Sequence, residues 1–432
     1  MRLAFNIGLN TIYQVLGRVT TAIVGLIITK LITESIGLSG YGNYQTVITY
    51  VTFYWVITDF GFNAIAVREM SSDESKANAY YAALTLLRTY LGGIVIALAL
   101  FILILLPYSL EIKYAVCIAS LTIFFQSLMG IGNAAFQLRL QYSRQLLSNI
   151  LGSIVSLTLF FIVIKFNYGI IGLSVAFLSS SVVMGIANIL FARKIMPISL
   201  NADPAMVRKL IKETIPFGIV LLLSLMIFKI DALMLSALPL IGITNQEAVG
   251  IYSLAFKVFE LVLIIPSFFI NPIYPILIKH LSKSFDTFVR SVMYAGGVLL
   301  AGSVIVVIAF YVLAPIFVDM LANRQEFGDS IIVLRILTLS IPLFFITGLL
   351  MWVHVIFNMQ KELIAVYASA FIFNLTANYI FAPQYTYMSA AIITGITELI
   401  IFILLGISLI KNWNTLKNHT PEVLTSTSSM KE

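Results

Sequence analysis

Charged residues and cysteine are scarce in this chain. Only 10% of its 432 residues are charged and 60% are hydrophobic, with a mean hydropathy of +1.01, whereas soluble domains have about 25% charged residues. The sequence therefore predicts an integral membrane protein. The single cysteine, Cys117, excludes an internal disulfide, and we expect it to pack within an apolar span.

Motifs of catalysis and nucleotide binding are also lacking. There is no Walker motif, no glycine-rich phosphate loop and no Cys/His spacing typical of a metal site. These absences exclude ATP-driven transport by this chain alone, and we expect neither an enzyme nor a cofactor. A membrane-embedded glycan polymerase or transferase is the less favoured alternative, because such enzymes generally need a larger platform outside the membrane.

Apolar runs recur from one end of the sequence to the other. Each has about the 20 residues with which a helix crosses a hydrocarbon core of roughly 30 Å, and backbone amides in lipid must be satisfied within the segment. The runs predict an all-α integral membrane protein with twelve transmembrane helices, at 4–33, 44–66, 80–106, 112–137, 146–164, 169–191, 210–238, 248–273, 291–313, 330–356, 361–382 and 387–410.

A basic connection that contains Pro197 and Pro204 separates the first six spans from the last six. We expect two six-helix lobes around a central cavity. The predicted organisation is an N-terminal lobe over 1–195, a cytoplasmic linker over 196–209, a C-terminal lobe over 210–411 and a disordered cytoplasmic tail, polar and rich in Ser and Thr, over 412–432.

A weak internal repeat supports this division. GYGNYQTVITYV from Gly40 aligns with AVGIYSLAFKVF from Ala248, so that the Gly and Tyr of each segment coincide at the start of the second span of each half. Because each half has an even number of spans, the repeats would be parallel.

Lysine and arginine are distributed unevenly between the two sides of the membrane. With the N-terminus inside, most of the 26 Lys and Arg residues fall in cytoplasmic segments, and the outer loops carry only Lys113, Lys165 and Arg324. The bias predicts an inner-membrane protein with both termini in the cytoplasm. It also accounts for most of the net charge of +7 without a nucleic-acid partner.

The first predicted span carries a polar face. Asn6, Asn10, Gln14 and Arg18 are spaced by four residues and share one side of a helix. Arg18 lies about 20 Å into its helix, and a charge at such depth is costly unless it faces protein or water. We expect these residues to line a substrate cavity, and a polar seam between helices is the alternative.

A second polar face follows in the next span, where Asp59 and Asn63 lie one helical turn apart. We interpret both as cavity residues, and an ion pair between Arg18 and Asp59 is an open alternative. Arg68 and Glu69 lie beyond the cytoplasmic end of this span, where we expect a local ion pair of little energetic worth.

The second half has polar groups at similar depth in antiparallel neighbouring spans. Lys229 and Asp231 lie in the seventh span, and Lys257 and Glu260 in the eighth. The first three are candidate substrate-binding residues, with mutual ion pairs as the alternative. Glu398, near the middle of the last span, is with Asp59 a candidate for coupling to a proton or sodium ion.

Five segments carry a family resemblance. They are NTIYQVLGRVTTAIVGLIITKLITESIGLSGYGNYQ, DFGFNAIAVREMS and NAAFQLRLQYSRQLLSNI in the first half, and FKIDALMLSAL and GIYSLAFKVFE in the second. With the twelve predicted spans, they resemble the polysaccharide (O-antigen type) flippases of the multidrug/oligosaccharidyl-lipid/polysaccharide exporter superfamily.

The resemblance implies a monomeric flippase. It would move a polyprenyl-diphosphate-linked oligosaccharide from the cytoplasmic to the outer leaflet by alternating access, for polysaccharide biosynthesis. Arg18, with Lys229 or Lys257, would attract the diphosphate, and Asp59 and Glu398 would balance charge or couple an ion gradient. A multidrug/cation antiporter of the same superfamily is the alternative, although its cavity is expected to be more acidic.

Overall fold

The computed structural model describes residues 2–418, without the side chains of residues 2–8 and 271. A 3-10 turn at Glu74–Lys76 joins α2 to α3. The α-helices are α1 (Arg2–Asp59), α2 (Phe62–Ser72), α3 (Ala77–Leu105), α4 (Leu110–Leu138), α5 (Tyr142–Lys165), α6 (Gly169–Ala192), α7 (Pro204–Ala237), α8 (Asn245–Val262), α9 (Ile265–Leu281), α10 (Phe285–Leu321), α11 (Arg324–Phe327), α12 (Asp329–Thr338), α13 (Ile341–Ile356), α14 (Gln360–Lys411) and α15 (Trp413–Asn418).

The predicted all-α multi-pass membrane fold is confirmed. Within residues 2–418, nine helical segments are long and apolar enough to cross a membrane, or ten if α12 and α13, bent by 42°, form one span. The two longest helices are each interrupted by one non-helical residue, Gly37 in α1 and Thr386 in α14. Both lie where the sequence predicts loops between spans. The count of twelve remains a prediction.

The chain packs as two compact units, Met1–Lys229 and Ile230–Glu432. The division lies within α7, whereas the predicted linker, 196–209, precedes most of that helix. Met196, at the start of this stretch, and Leu210, directly after it, are buried in the core of the first unit with Tyr81 and Phe136. The apolar side chains of the linker therefore hold the start of α7 to the first unit.

In the first unit, α4 is central and packs against α1, α3 and α6. Small residues permit the close approach of α4 and α6. A Cβ at Gly132 of α4 would lie 2.9 Å from the side chain of Asn188, and one at Gly185 of α6 would lie 3.0 Å from the backbone oxygen of Phe125. Close contact between small residues is the usual basis of helix association in membranes.

In the second unit, α8 packs against α12 and α14, and α13 packs against α10 and α14. The short helix α15 lies within the stretch predicted as a disordered tail. It is ordered because Trp413 packs edge-on against Phe285, at a ring-centroid distance of 5.1 Å, and Leu416 is buried. Residues 419–432 of the predicted tail lie outside the described residues.

Candidate functional site

A break in the second predicted span positions the first polar cluster. Helix α1 ends at Asp59 and α2 begins at Phe62, because Phe60 (φ 36°) and Gly61 (φ 76°) both adopt left-handed backbone conformations. A Cβ at Gly218 of α7 would lie 2.4 Å from the backbone oxygen of Phe60, so glycine is needed for α7 to approach the break. Interrupted helices are common at the binding sites of membrane transporters.

Arg88 of α3 joins the two sides of this break. Its side chain is 2% exposed and forms an ion pair with Asp59, and its Nε donates to Oδ1 of Asn63 at 2.9 Å. Asn63 in turn donates to the backbone oxygen of Gly130 on α4, at 3.0 Å. A Cβ at Gly130 would lie 2.2 Å from Nη1 of Arg88, so the absence of a side chain makes room for the guanidinium.

Asp59 is the accessible member of the cluster, with a side chain that is 48% exposed. The arrangement thus has a buried cation behind a partly exposed carboxylate. The alternative pairing of Asp59 with Arg18 is wrong, because the structure pairs Asp59 with Arg88 instead. Sequence reasoning missed Arg88, although a single charge within the apolar stretch LTLLRTYLGG was an available signal.

The residues of the polar face predicted on the first span differ in their exposure to solvent. Asn10 is 8% exposed, and its Oδ1 accepts a hydrogen bond of 3.0 Å from the backbone N–H of Tyr142, the first residue of α5. This contact joins α1 to α5, as the polar-seam alternative expects. Gln14 is half-buried and Arg18 is exposed. The side chain of Asn6 lies outside the described residues.

In the second unit, Asp231 of α7 is 1% exposed. Its carboxylate accepts hydrogen bonds from three uncharged side chains: Tyr252 at 3.0 Å, Asn378 at 2.7 Å and Thr394 at 2.7 Å. Tyr252 belongs to α8, whereas Asn378 and Thr394 lie on opposite sides of the break in α14. The break at Thr386 therefore allows both halves of α14 to contact one carboxylate.

Glu398 lies one turn after Thr394 on α14. It is 6% exposed and accepts a hydrogen bond from the hydroxyl of Thr347 on α13. Asn374 donates to Oγ1 of Thr397 at 3.1 Å and is also hydrogen-bonded to Asn378, which links the surroundings of the two carboxylates. A buried carboxylate that has only neutral donors is costly in its charged form unless a proton or a cation neutralises it.

Two further predicted residues are lysines. Lys229 is half-buried at the end of the first unit, and Lys257 is half-buried on α8 in the second. Within residues 2–418, there is no group of three or more His, Cys, Asp or Glu side chains that could hold a metal ion. The structure brings together Asp59 and Asn63 through Arg88, and Asp231 with Tyr252, Asn378 and Thr394.

The predicted pair of Arg68 and Glu69 is present at 2.9 Å and belongs to a larger network. Arg68 also contacts Glu213 of α7 at 3.2 Å, and Nζ of Lys209 lies 3.4 Å from Glu69 and 2.6 Å from the hydroxyl of Tyr80. The network joins α2 and α3 to the start of α7. Most of these side chains are partly exposed, so each pair contributes little alone.

Comparison with solved structures identifies similar folds. A lipid II flippase MurJ in an inward closed conformation is 16% identical, with a TM-score of 0.74 over 96% of this chain and 92% of that one. An inward-facing multidrug resistance MATE family transporter of the MOP superfamily is 15% identical, with a TM-score of 0.70 over 94% and 96%. A MOP superfamily transporter from Pyrococcus furiosus is 17% identical, with a TM-score of 0.57 over 97% and 95%. At these identities the likeness shows the fold alone.

The family is shown by sequence. No curated protein sequence matches the chain significantly, but residues 7–281 match the family described as polysaccharide biosynthesis protein. The matched region is more than half of the chain and includes Asp59, Arg88 and Asp231. It confirms the resemblance at the level of the family. This multi-pass membrane chain therefore belongs to the polysaccharide biosynthesis protein family.

Proposed function

We propose that this chain is a flippase for polyprenyl-diphosphate-linked oligosaccharides, which it moves from the cytoplasmic to the outer leaflet of the inner membrane by alternating access. The observation that carries the proposal is membership of a polysaccharide biosynthesis family by a chain composed of apolar helices. Sugar hydroxyls and a diphosphate cannot cross hydrocarbon without large desolvation costs. A polysaccharide built from lipid-linked units therefore needs a protein of this kind.

The cations of the first unit support an anionic substrate. Arg18 is exposed on α1, and a guanidinium group binds phosphate oxygens through paired hydrogen bonds. We assign Arg18, with Lys229 of the same unit, to the diphosphate, and Gln14 to the sugar hydroxyls. Asp59 is matched by Arg88, so its assigned role is to hold the interrupted helix and balance local charge.

Ion coupling is assigned to the second unit. Asp231 and Glu398 are both buried, and the hydrogen-bond donors described above for each are neutral. A proton or sodium ion that neutralises either carboxylate would stabilise the state in which that group is buried. An ion gradient could then bias the transport cycle through this difference in binding between states.

A drug/cation antiporter is the second candidate, and the buried, uncompensated Asp231 is the observation that favours it. In such a protein this carboxylate would have to become accessible to an organic cation during the transport cycle, whereas it is 1% exposed in this structure. In the first unit, the carboxylate at the helix break is already paired with Arg88, which favours the lipid-linked anion. The likeness to both MurJ and MATE structures supports either transport mode.

The two functions differ in what accumulates when the chain is depleted from its own cell. We expect lipid-linked oligosaccharide to accumulate on the cytoplasmic side, protected from a glycosidase added to spheroplasts, and to become accessible when the chain is restored. Unchanged amounts and accessibility, with increased sensitivity to cationic dyes, would support the antiporter instead.

A further inference from the structure

A cavity of about 510 Å³ lies in the first unit, between the first turns of α1 and the connection from α4 to α5. Its polar lining consists of Asn10, Tyr13, Arg139, Gln141, Ser143 and Arg144. The volume falls within the roughly 300–1,000 Å³ of small-molecule sites. It is larger than a single phosphate group requires.

The lining is basic. Arg139 and Arg144 contribute two guanidinium groups, and the lining contains no acidic residue. Arg139 uses Nη1 to contact Glu74, whose side chain is 73% exposed, and an exposed pair of this kind is weak enough for an anionic ligand to compete with it. Arg144 uses Nη1 to donate to the backbone oxygen of Phe191 at 2.9 Å. Because a guanidinium has five N–H donors, both groups keep donors for a ligand.

The start of α5 adds to this positive potential. Tyr142 begins the helix beside the cavity, and its first turn has no acidic residue, so the partial positive charge of the helix terminus is not compensated locally. The bond from Tyr142 to Asn10 fixes α1 against this turn. The contact of Arg144 with Phe191 anchors its side chain to the end of α6. The first turn of α5, which carries Arg144, is therefore held against α1 and α6.

We propose that the Arg139/Arg144 pocket binds the phosphate of a membrane lipid, and that its principal ligand is the diphosphate of an isoprenoid lipid before translocation. The identity of the lipid rests on the proposed function, whereas the phosphate chemistry rests on the pocket itself. Two guanidinium groups match a diphosphate through bidentate, charge-assisted hydrogen bonds. The remaining volume admits part of the first sugar. Arg139 and Arg144 belong to a predicted cytoplasmic segment, on the side where such a lipid is assembled.

Binding can be measured without transport. The full chain in nanodiscs of neutral lipid is titrated with a short-chain isoprenyl diphosphate and, separately, with short-chain phosphatidylglycerol. The variants are Arg139→Gln, which removes one charge, and Arg144→Lys, which keeps the charge but removes the bidentate fork. Arg193→Gln removes an exposed cation outside the pocket lining and is the matched control. Thermal unfolding midpoints establish that each variant is folded.

We expect the Kd for isoprenyl diphosphate to rise about tenfold in each pocket variant, as for loss of a charged hydrogen bond, and to stay unchanged in Arg193→Gln. Tighter binding of the diphosphate than of phosphatidylglycerol supports the substrate as ligand. Equal binding of both, with equal losses in the pocket variants, supports the phosphate site but overturns the diphosphate as its principal ligand.

Unchanged affinity in folded pocket variants, or an equal loss in Arg193→Gln, would overturn the phosphate site. Failure of the proposed function has a different signature. If the chain bound isoprenyl diphosphate through these arginines but moved no lipid-linked glycan, the phosphate site would be supported and the flippase proposal would be contradicted.

Discussion

The two units of this protein hold their carboxylates in opposite ways. In the first unit, Asp59 is 48% exposed and has a buried arginine as its partner. In the second, Asp231 is 1% exposed, and its three donors are a hydroxyphenyl, an amide and a hydroxyl group. A paired carboxylate needs no further charge, whereas one among neutral donors is stabilised by a proton or a cation. This difference underlies our proposal that the second unit, and not the Asp59–Arg88 pair of the first, carries ion coupling.

The comparison also identifies which member of each cluster is vulnerable. In the first unit, burial of the Arg88 guanidinium costs free energy, and its contacts with Asp59 and Asn63 offset that cost. In the second unit, the group whose burial costs free energy is the carboxylate of Asp231. Substitutions at Asp59 should therefore act mainly on stability, and substitutions at Asp231 mainly on coupling.

The largest expected effect is that of Asp231→Asn on gradient-driven transport. The amide cannot be ionised, so a proton or sodium ion no longer neutralises a charge there, and transport driven by an imposed gradient should fall to background. Transport is measured in proteoliposomes with and without the gradient. Asp286→Asn, at an exposed acid near the start of α10, is the control. If the Asp231→Asn variant kept the full gradient-driven transport rate, ion coupling could not be assigned to Asp231 of the second unit.

The next effect is the loss of stability in Asp59→Ala. It leaves Arg88 buried without its carboxylate, which should lower the free energy of unfolding by about 3 kcal/mol, the lower end of the range for a broken buried pair because Asp59 is half exposed. Thermal unfolding in detergent measures the change. The double variant Asp59→Ala/Arg88→Met removes the stranded charge and should recover part of the loss. A double variant less stable than the single one would contradict this account of the pair.

A smaller effect is expected for Arg18→Gln, which sharpens the assignment of anion binding to the first unit. Because Arg18 is exposed, the variant should keep its unfolding midpoint, while its flipping rate at low substrate concentration falls about tenfold through loss of a charged hydrogen bond. Lys30→Gln, at another exposed cation of α1, is the control. An unchanged flipping rate would remove Arg18 from the substrate site.

The smallest effect is expected for Asn10, and it tests whether this residue of the first unit has a structural role and not a role in substrate binding. Asn10→Ala leaves the backbone N–H of Tyr142 without its acceptor and should cost about 1 kcal/mol of stability. Asn10→Asp keeps the acceptor and should be close to the wild type in thermal unfolding. If both variants were equally destabilised, the hydrogen bond would not be the cause.

Hydrophobic runs predicted most of the fold, because the length of a membrane-crossing helix is fixed by the bilayer. The breaks at Gly37 and Thr386 lie where polar or small residues interrupt those runs. The break at Phe60 and Gly61 was not predicted, since the apolar run continues through both residues. Hydropathy carries no information on backbone dihedral angles. The structure shows that α7 packs closely against this break, because Gly218 has no side chain that would collide with Phe60.

The polar clusters were predicted less completely than the fold. Asp59, Asn63, Asp231 and Glu398 stood out because a charge or amide in an apolar span is costly. Their partners did not, since a sequence without an alignment does not show which helices are neighbours. Asn378 and Thr394 are unremarkable singly and acquire a role only where the two halves of α14 meet Asp231.

The most direct test of the flippase proposal uses purified chain in proteoliposomes with a fluorescent polyprenyl-diphosphate-linked oligosaccharide and an impermeant quencher added outside. Under an imposed proton or sodium gradient, we predict quenching beyond the fraction of probe initially in the outer leaflet, which requires the chain and is lost in Asp231→Asn. Quenching that stops at that initial fraction, while the same vesicles export a cationic dye, would contradict the flippase.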